Sequence, residues 1–219
     1  MYEVIFYKDK NEKEPIRDYI YELSQQNSKD ARIKLKKIFE YIGQLKAYGV
    51  SAGKPAIDHI ADTDLYELRP TSDRIFFVYW KDNTFVLLHH FVKKTQKTPA
   101  REIEQAQRNL KDFLEGLIKM SKKINGTTYT TFDDLWNDPE LLTDIEKEEI
   151  QLKIDFIGKL IEAREEKGIS QKRLAEMSGL KQPAIARLER MQATPQIDTL
   201  FKILKPLGYT LEIVPDKRV

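Results

Sequence analysis

GISQKRLAEMSGLKQPAIARLE, residues 168–189, is the stretch whose reading decides the fold of the second half of this chain. Ser170 has the hydroxyl acceptor that a helix start needs, so a helix is expected from Gln171 to about Met177. Leu174 faces inward on it, and Ala175 is small enough for a following helix to cross closely. Gly179 can take the left-handed backbone that turns the chain between them. Leu180, Ile185 and Leu188 then anchor a second helix at three- and four-residue steps, which leaves Lys181, Gln182, Ala184 and Arg187 on its outer side.

This pattern resembles the helix-turn-helix of the Cro/C1 repressor family over about residues 152–208. The resemblance implies that the second helix enters the major groove of operator DNA, with Lys181, Gln182, Ala184 and Arg187 as base and phosphate readers. It implies for Gln171 a phosphate contact or a buttress for the readers. For any single Lys or Arg of the row the competing reading is an ordinary solvated charge. The chain departs from the family at Met191, where Gly commonly follows the Glu-Arg pair, so an irregular turn is expected there. Repressors of this kind bind palindromes as dimers, and Glu212, Ile213 and the end of the chain are the candidate dimer contacts.

Working outward, Ile150, Ile154, Ile157, Leu160 and Ile161 keep helical spacing. Gly168, Ser170, Gly179, Pro183 and Pro195 then interrupt the chain often enough to predict a compact bundle of four or five short helices over 150–219. Tyr209–Val214 returns to a β pattern and is expected as a short C-terminal strand. Residues 132–149 hold eight acidic residues against Lys147 alone. Phe132, Leu135, Trp136, Leu141, Leu142 and Ile145 give that segment apolar anchors. Residues 119–131 are polar and unpatterned, a linker or a chain junction. Met120 fits the start of a separate polypeptide, a natural fusion or an engineered one equally well.

The first half has another order. Tyr2–Tyr7 reads as a strand. Ile16 to Leu23, and then Leu35, Ile38, Phe39, Ile42 and Leu45, read as two amphipathic helices broken near Asn27 and Ser28. After a loop with Gly49, Gly53 and Pro55 come three β-rich runs, Leu65–Arg69, Ile75–Trp80 and Thr84–Phe91, an antiparallel meander. Thr98 and Pro99 open a helix whose inner face is Ile103, Ala106, Leu110, Phe113 and Leu117. The predicted order is β-α-α-β-β-β-α, and the fold class is α+β followed by an all-α bundle.

Two strings carry a second resemblance, YELRPTSDRIFFVYW (66–80) and FVLLHHFVKKTQKTPAREIEQA (85–106). They are similar to the phage-type RelE/HigB toxins, and the likeness covers nearly all of residues 1–118. It implies metal-independent cleavage of messenger RNA on the ribosome, without cofactor. Such a site deprotonates a ribose 2′-hydroxyl, stabilises a pentavalent phosphate and protonates a leaving 5′-oxygen. Matched to the family, Arg69 and Arg74 hold the scissile phosphate, Lys93 or Lys94 faces it, His90 and Tyr66 are proton-transfer candidates, and Lys97 and Arg101 bind RNA. A structural, hydrogen-bonded role is the competing reading for His90. The matching role for the second half is an antitoxin of HigA type, in an intramolecular or heteromeric toxin–antitoxin complex. A gyrase-inhibiting toxin of the related ParE type, and a phage transcriptional repressor with a non-toxic first domain, are the other readings.

Charge links the halves. Residues 68–111 hold nine basic residues against four acidic ones, so the acidic block at 132–149 has a complement. Opposed potentials register interfaces. The sequence therefore predicts that 132–149 covers the face of Arg69, Arg74, Lys93 and Lys94, with Asp133, Asp134, Trp136 and Leu142 as the contacts. The composition bounds the rest: 41% hydrophobic and 33% charged residues predict a soluble globular protein, and the start MYEVIFYKDKNEKEP, a short apolar run followed by charges, does not read as a signal peptide, so a cytoplasmic protein is expected. No run approaches the ~20 apolar residues of a membrane span. Zero cysteines exclude disulfides and thiolate metal sites, and three histidines leave little for a metal.

Overall fold

The computed structural model describes residues 1–52, 56–95, 97–120 and 129–214. Gly53, Pro55 and residues 121–128 of the expected linker lie outside the described residues. The chain divides into two compact units, 1–154 and 155–219, so the break falls beyond the boundary expected at residue 150. Among the described residues no helix is long and apolar enough to cross a membrane.

In the first unit, β1 (Glu3–Phe6) leads to α1 (Pro15–Gln25) and α2 (Lys29–Tyr48). Ser28 separates the two helices because its hydroxyl accepts from the Ala31 amide at 3.1 Å, a cap that starts α2. Gly49 ends α2 at φ +63°, and a Cβ there would stand 2.7 Å from the Tyr2 ring, so both conformation and space require glycine. The sheet continues with β2 (Ile57–His59), β3 (Tyr66–Leu68), β4 (Asp73–Tyr79) and β5 (Thr84–Val92), before α3 (Ala100–Met120). Strand order is β1-β5-β4-β3-β2, with β1 parallel to β5 and the rest antiparallel.

Strand alternation divides the core. One face carries Phe76, Val78, Val86, Leu88 and Phe91, buried with Ala106 and Phe113 of α3. The other carries Ile75, Phe77, Phe85 and Leu87, on the side where α1 and α2 bury Ile20, Leu35, Ile38 and Ile42. A register shift between Phe76 and Phe77 lets both Leu88 and His89 face α3.

The fold corrects two expectations. β2 makes the order β-α-α-β-β-β-β-α; at three residues it is too short to show a period in sequence. Tyr209–Val214 forms no strand, since among the described residues no neighbouring strand offers it a ladder. The acidic stretch belongs with the first unit: α4 (Phe132–Trp136) and the start of α5 (Asp144–Glu166) lie within residues 1–154.

The second unit contains the end of α5, then α6 (Gln171–Ser178), α7 (Gln182–Glu189), α8 (Ile197–Leu204) and a 3-10 turn over Lys205–Leu207. Ser170 caps α6 by accepting from Arg173 N at 3.1 Å, and Gly179 turns left-handed at φ +67°. Met191 has φ +56° with its side chain buried. Left-handed backbone costs a non-glycine residue about 1 kcal/mol, and burying a Met side chain gains about 2 kcal/mol, which accounts for Met at a glycine-like turn.

Candidate nucleic-acid interfaces

In the first unit the sequence-selected arginines meet on a residue that the sequence reading missed. Glu67 in β3 is fully buried. Arg69, two positions on and on the same side of the strand, donates Nε to Glu67 at 2.6 Å and Nη2 to Asp58 at 2.6 Å. Arg74 donates Nη1 to the carbonyls of Thr71 and Asp73 at 3.0 and 2.7 Å. Its Nε lies 3.5 Å from Glu67 and is buried without a hydrogen bond. Burial lowers the Arg74 pKa while the charge of Glu67 partly restores it. Thr98 donates to Glu67 at 3.3 Å and accepts from Lys93 Nζ at 3.3 Å, which brings a third cation to the edge of the group. Lys94, Lys97 and Arg101 are exposed, and Arg101 pairs with Glu102 at 2.9 Å. Arg69 bridges two carboxylates, Glu67 and Asp58, while Arg74 Nε makes no hydrogen bond, so the group keeps some donor capacity for an anion such as phosphate.

His90 and Tyr66 are placed elsewhere. His90 lies on the α1 side of the sheet, where its Nε2 is 2.9 Å from Asp73 Oδ1 and its ring stacks on Tyr19 at 3.8 Å. Tyr19 donates its hydroxyl to the same Asp73 oxygen at 2.7 Å. Burial pushes the Asp73 carboxyl up, but the hydrogen bonds from His90 and Tyr19 outweigh it and hold the pKa below the ordinary range. Burial, then the bond to Asp73, raises the Tyr19 hydroxyl. Tyr66 stacks on Phe77 at 5.5 Å, with His59 edge-on at 5.0 Å. Thus Arg69, Arg74 and Lys93 come together, while His90 and Tyr66 do not join them. His89, on the opposite face from His90, pairs with Glu102 at 2.8 Å.

The acidic segment does not cover the arginine face, which corrects the charge-based expectation. It lies on the α1–α2 hairpin. Phe6 N donates to Thr130 O at 3.0 Å, and Ile5 bridges to Thr131, so the chain enters beside β1. Asp134 forms a capping box with Thr131 and starts α4. Trp136 packs with its ring 6.1 Å from Phe39 and 5.6 Å from Phe132; Leu142 is buried. Asp133 pairs with Lys46, Asp138 accepts from Tyr21, and Lys36 reaches Glu149 at 2.7 Å. Arg32 donates Nε to Glu146 at 2.8 Å and Nη1 to Leu141 O at 2.8 Å. Burial acts to raise the Glu146 carboxyl, but Arg32 and Thr143 hold it down at about 2. At Gly43 in α2 a Cβ would stand 2.6 Å from Ile154 Cδ1, so glycine lets the Ile154 side chain of α5 pack directly against α2. The physical reason for the correction is local neutralisation: Glu67 and Asp58 already pair with the arginines, whereas the carboxylate partners of Arg32, Lys36 and Lys46 come from the acidic segment.

In the second unit Lys181, Gln182 and Arg187 are exposed and Ala184 is half-buried on α7, over buried Ile185 and Leu188. Gln171 accepts from Gln182 at 3.1 Å and donates to Glu189 at 2.8 Å, a buttress geometry. Behind it the sequence reading missed a buried pair. Arg164 forks onto Glu189 at 2.6 and 3.0 Å and donates to Ile169 O at 3.0 Å. Burial lowers the Arg164 pKa, but Glu189 more than compensates and raises it.

Comparison with known proteins divides along the same lines. Residues 22–111 match the family described as "Phage derived protein Gp49-like", and residues 160–214 match the helix-turn-helix family. An uncharacterised HTH-type transcriptional regulator of Haemophilus influenzae is 49% identical over 82 residues, which are 36% of this chain and 84% of that protein. The HTH-type transcriptional regulator PuuR of Escherichia coli is 45% identical over 53 residues, 24% of this chain, which spans only 29% of PuuR. A solved structure described as "Toxin-Antitoxin module from Streptococcus pneumoniae" is 44% identical, covering 42% of this chain and 97% of that one, with a TM-score of 0.34.

Proposed function

Given that the chain belongs to the helix-turn-helix transcriptional regulators, we propose that it is a toxin–antitoxin pair: a ribosome-dependent messenger RNA endonuclease in residues 1–118, and in the remainder an antitoxin that binds operator DNA and represses its own operon. The observation that carries the nuclease reading is the convergence of Arg69 and Arg74 on buried Glu67, with Lys93 joined through Thr98. The match of residues 22–111 to a phage-derived family supports it.

In this reading the guanidiniums of Arg69 and Arg74 bind the non-bridging oxygens of the scissile phosphate, and Lys93 or Lys94 takes part of the charge that develops as the 2′-oxygen attacks. Glu67 holds Arg69, and the carbonyls of Thr71 and Asp73 hold Arg74. Lys97 and Arg101 contact RNA beside the site. His90 and Tyr66, the proton-transfer candidates, stand apart from the arginines, so acid–base chemistry supplied by the protein is weak. Orientation of the message by the ribosome then provides most of the acceleration, a contribution of about 7–11 kcal/mol when reacting groups are well aligned. No metal or cofactor takes part in the scheme.

The second unit reads DNA with Lys181, Gln182, Ala184 and Arg187, with Gln171 bracing Gln182 against Glu189. Binding as a dimer, with contacts at Glu212 and Ile213, matches a palindromic operator. Asp133, Asp134, Trp136 and Leu142 belong to the segment that holds the toxin. A reconstituted translation reaction with residues 1–120 tests the enzyme. Cuts within messages are expected only when ribosomes are present and are lost with Arg69→Gln/Arg74→Gln; rapid cutting of naked RNA overturns the scheme.

A further inference from the structure

The docked segment leaves the arginine face untouched, which raises the question of what its carboxylates replace. On α2, Arg32 and Lys36 stand one turn apart, about 6 Å along the axis, and Lys46 continues the row about 15 Å beyond Lys36. Each pairs with the acidic segment: Arg32 with Glu146, Lys36 with Glu149 at 2.7 Å and more distantly with Glu146 at 4.0 Å, Lys46 with Asp133. A one-turn separation of about 6 Å is close to the spacing of successive phosphates on an RNA strand, and carboxylates at arginine and lysine occupy the geometry that phosphates take. Apolar contacts at Phe39, Phe132 and Trp136, and the close approach of Ile154 at Gly43, hold the segment down.

We propose that Arg32, Lys36 and Lys46 form a second RNA-phosphate surface, separate from the Arg69–Arg74 group, and that residues 133–149 mask it as phosphate mimics. The proposal rests on the reading of residues 1–118 as a toxin that works on ribosome-bound RNA. Inhibition then acts at docking: the phosphate-binding arginines stay assembled and exposed to their own environment, while the surface that anchors RNA is taken. The ligand chemistry is an RNA phosphodiester chain, from either ribosomal RNA or the message.

The test uses the full chain, measuring affinity for isolated small ribosomal subunits in one arm and for an unstructured oligoribonucleotide in the other. Two variants unmask the row by different means: Asp133→Asn/Glu146→Gln/Glu149→Gln removes the mimic charges, and Gly43→Leu levers Ile154 away without altering charge. Both are expected to bind at least about tenfold more tightly than the native chain, and the slope of log affinity against log salt is expected to steepen by about 2–3 for three added phosphate contacts. Adding Arg32→Gln/Lys36→Gln/Lys46→Gln to either variant returns affinity to the native level, which separates this surface from the nucleic-acid-binding second unit. The arm that shows the gain identifies ribosomal RNA or message as the source. No gain in either arm, or a gain that survives loss of the three cations, overturns the proposal. Because binding is read without cleavage, a chain that binds as expected and cuts nothing refutes the nuclease reading and leaves this surface standing.

Discussion

Both units set a buried glutamate against arginine, and the use made of the guanidinium donors differs. In the second unit Glu189 meets one guanidinium: Arg164 satisfies both carboxylate oxygens, and both side chains are buried. In the first unit Glu67 is shared between Arg69 and Arg74, with Lys93 at the edge, and Arg74 Nε keeps no hydrogen bond. A one-to-one pair is closed and can only hold helices together. The Glu67 group is less complete, because Arg69 bridges Glu67 and Asp58 while Arg74 Nε, 3.5 Å from Glu67, makes no hydrogen bond and leaves a guanidinium donor unused. The two arginine groups thus differ in whether every guanidinium donor facing the buried carboxylate is satisfied.

Arg164→Ala breaks the closed pair and leaves Glu189 buried without a counter-charge. A loss of about 3–5 kcal/mol is expected in the unfolding free energy of the second unit, together with loss of operator binding. Arg74→Gln removes a residue of the same type from the open group. Since Glu67 keeps Arg69, stability is expected to fall by no more than about 1 kcal/mol, while message cleavage falls about 10²-fold or more, as when one charge-stabilising donor is removed from an active site. Equal stability losses for the two substitutions would erase the distinction.

A third case lies between them. Arg32–Glu146 is a half-exposed pair in which the carboxyl is held at about 2. A carboxyl lowered on folding contributes stability above its unfolded pKa of about 4.3 and loses it as pH falls towards the folded value. Detachment of residues 132–149 is therefore expected between about pH 4 and 2, followed by Trp136 fluorescence, with about 2 kcal/mol less stabilisation at the acid end. Glu146→Gln should flatten that transition. The smallest effect concerns the cap of α6: Ser170→Ala is expected to cost about 1 kcal/mol, read as a lower melting temperature of the second unit.

The same contrast marks what the sequence made legible. The helix-turn-helix could be read because its signals are local: Ser170, Gly179 and the spacing of Leu174, Leu180, Ile185 and Leu188 lie within twenty-two residues. Met191 announced its turn by standing where glycine is usual. Arg69 and Arg74 were found by family likeness, but Glu67 was not, because its role depends on a neighbour across β4 and on Thr98 at the start of α3. An Arg two places after a carboxylate on one strand face was the available signal. The acidic segment was assigned to the wrong face because charge was counted along the chain. Arg32, Lys36 and Lys46 are interleaved with Asp30 and Glu40, so the basic row exists only on the helix surface. His90 was ambiguous in sequence, since only folding brings Asp73 and Tyr19 to its ring.

The central claim is that the open arginine group cuts messages on ribosomes. Primer-extension mapping after induction of residues 1–120 tests it most directly: discrete new 5′ ends inside translated frames are predicted, absent with Arg69→Gln/Arg74→Gln. Intact messages in growth-arrested cells, or the same ends from the double variant, would contradict it.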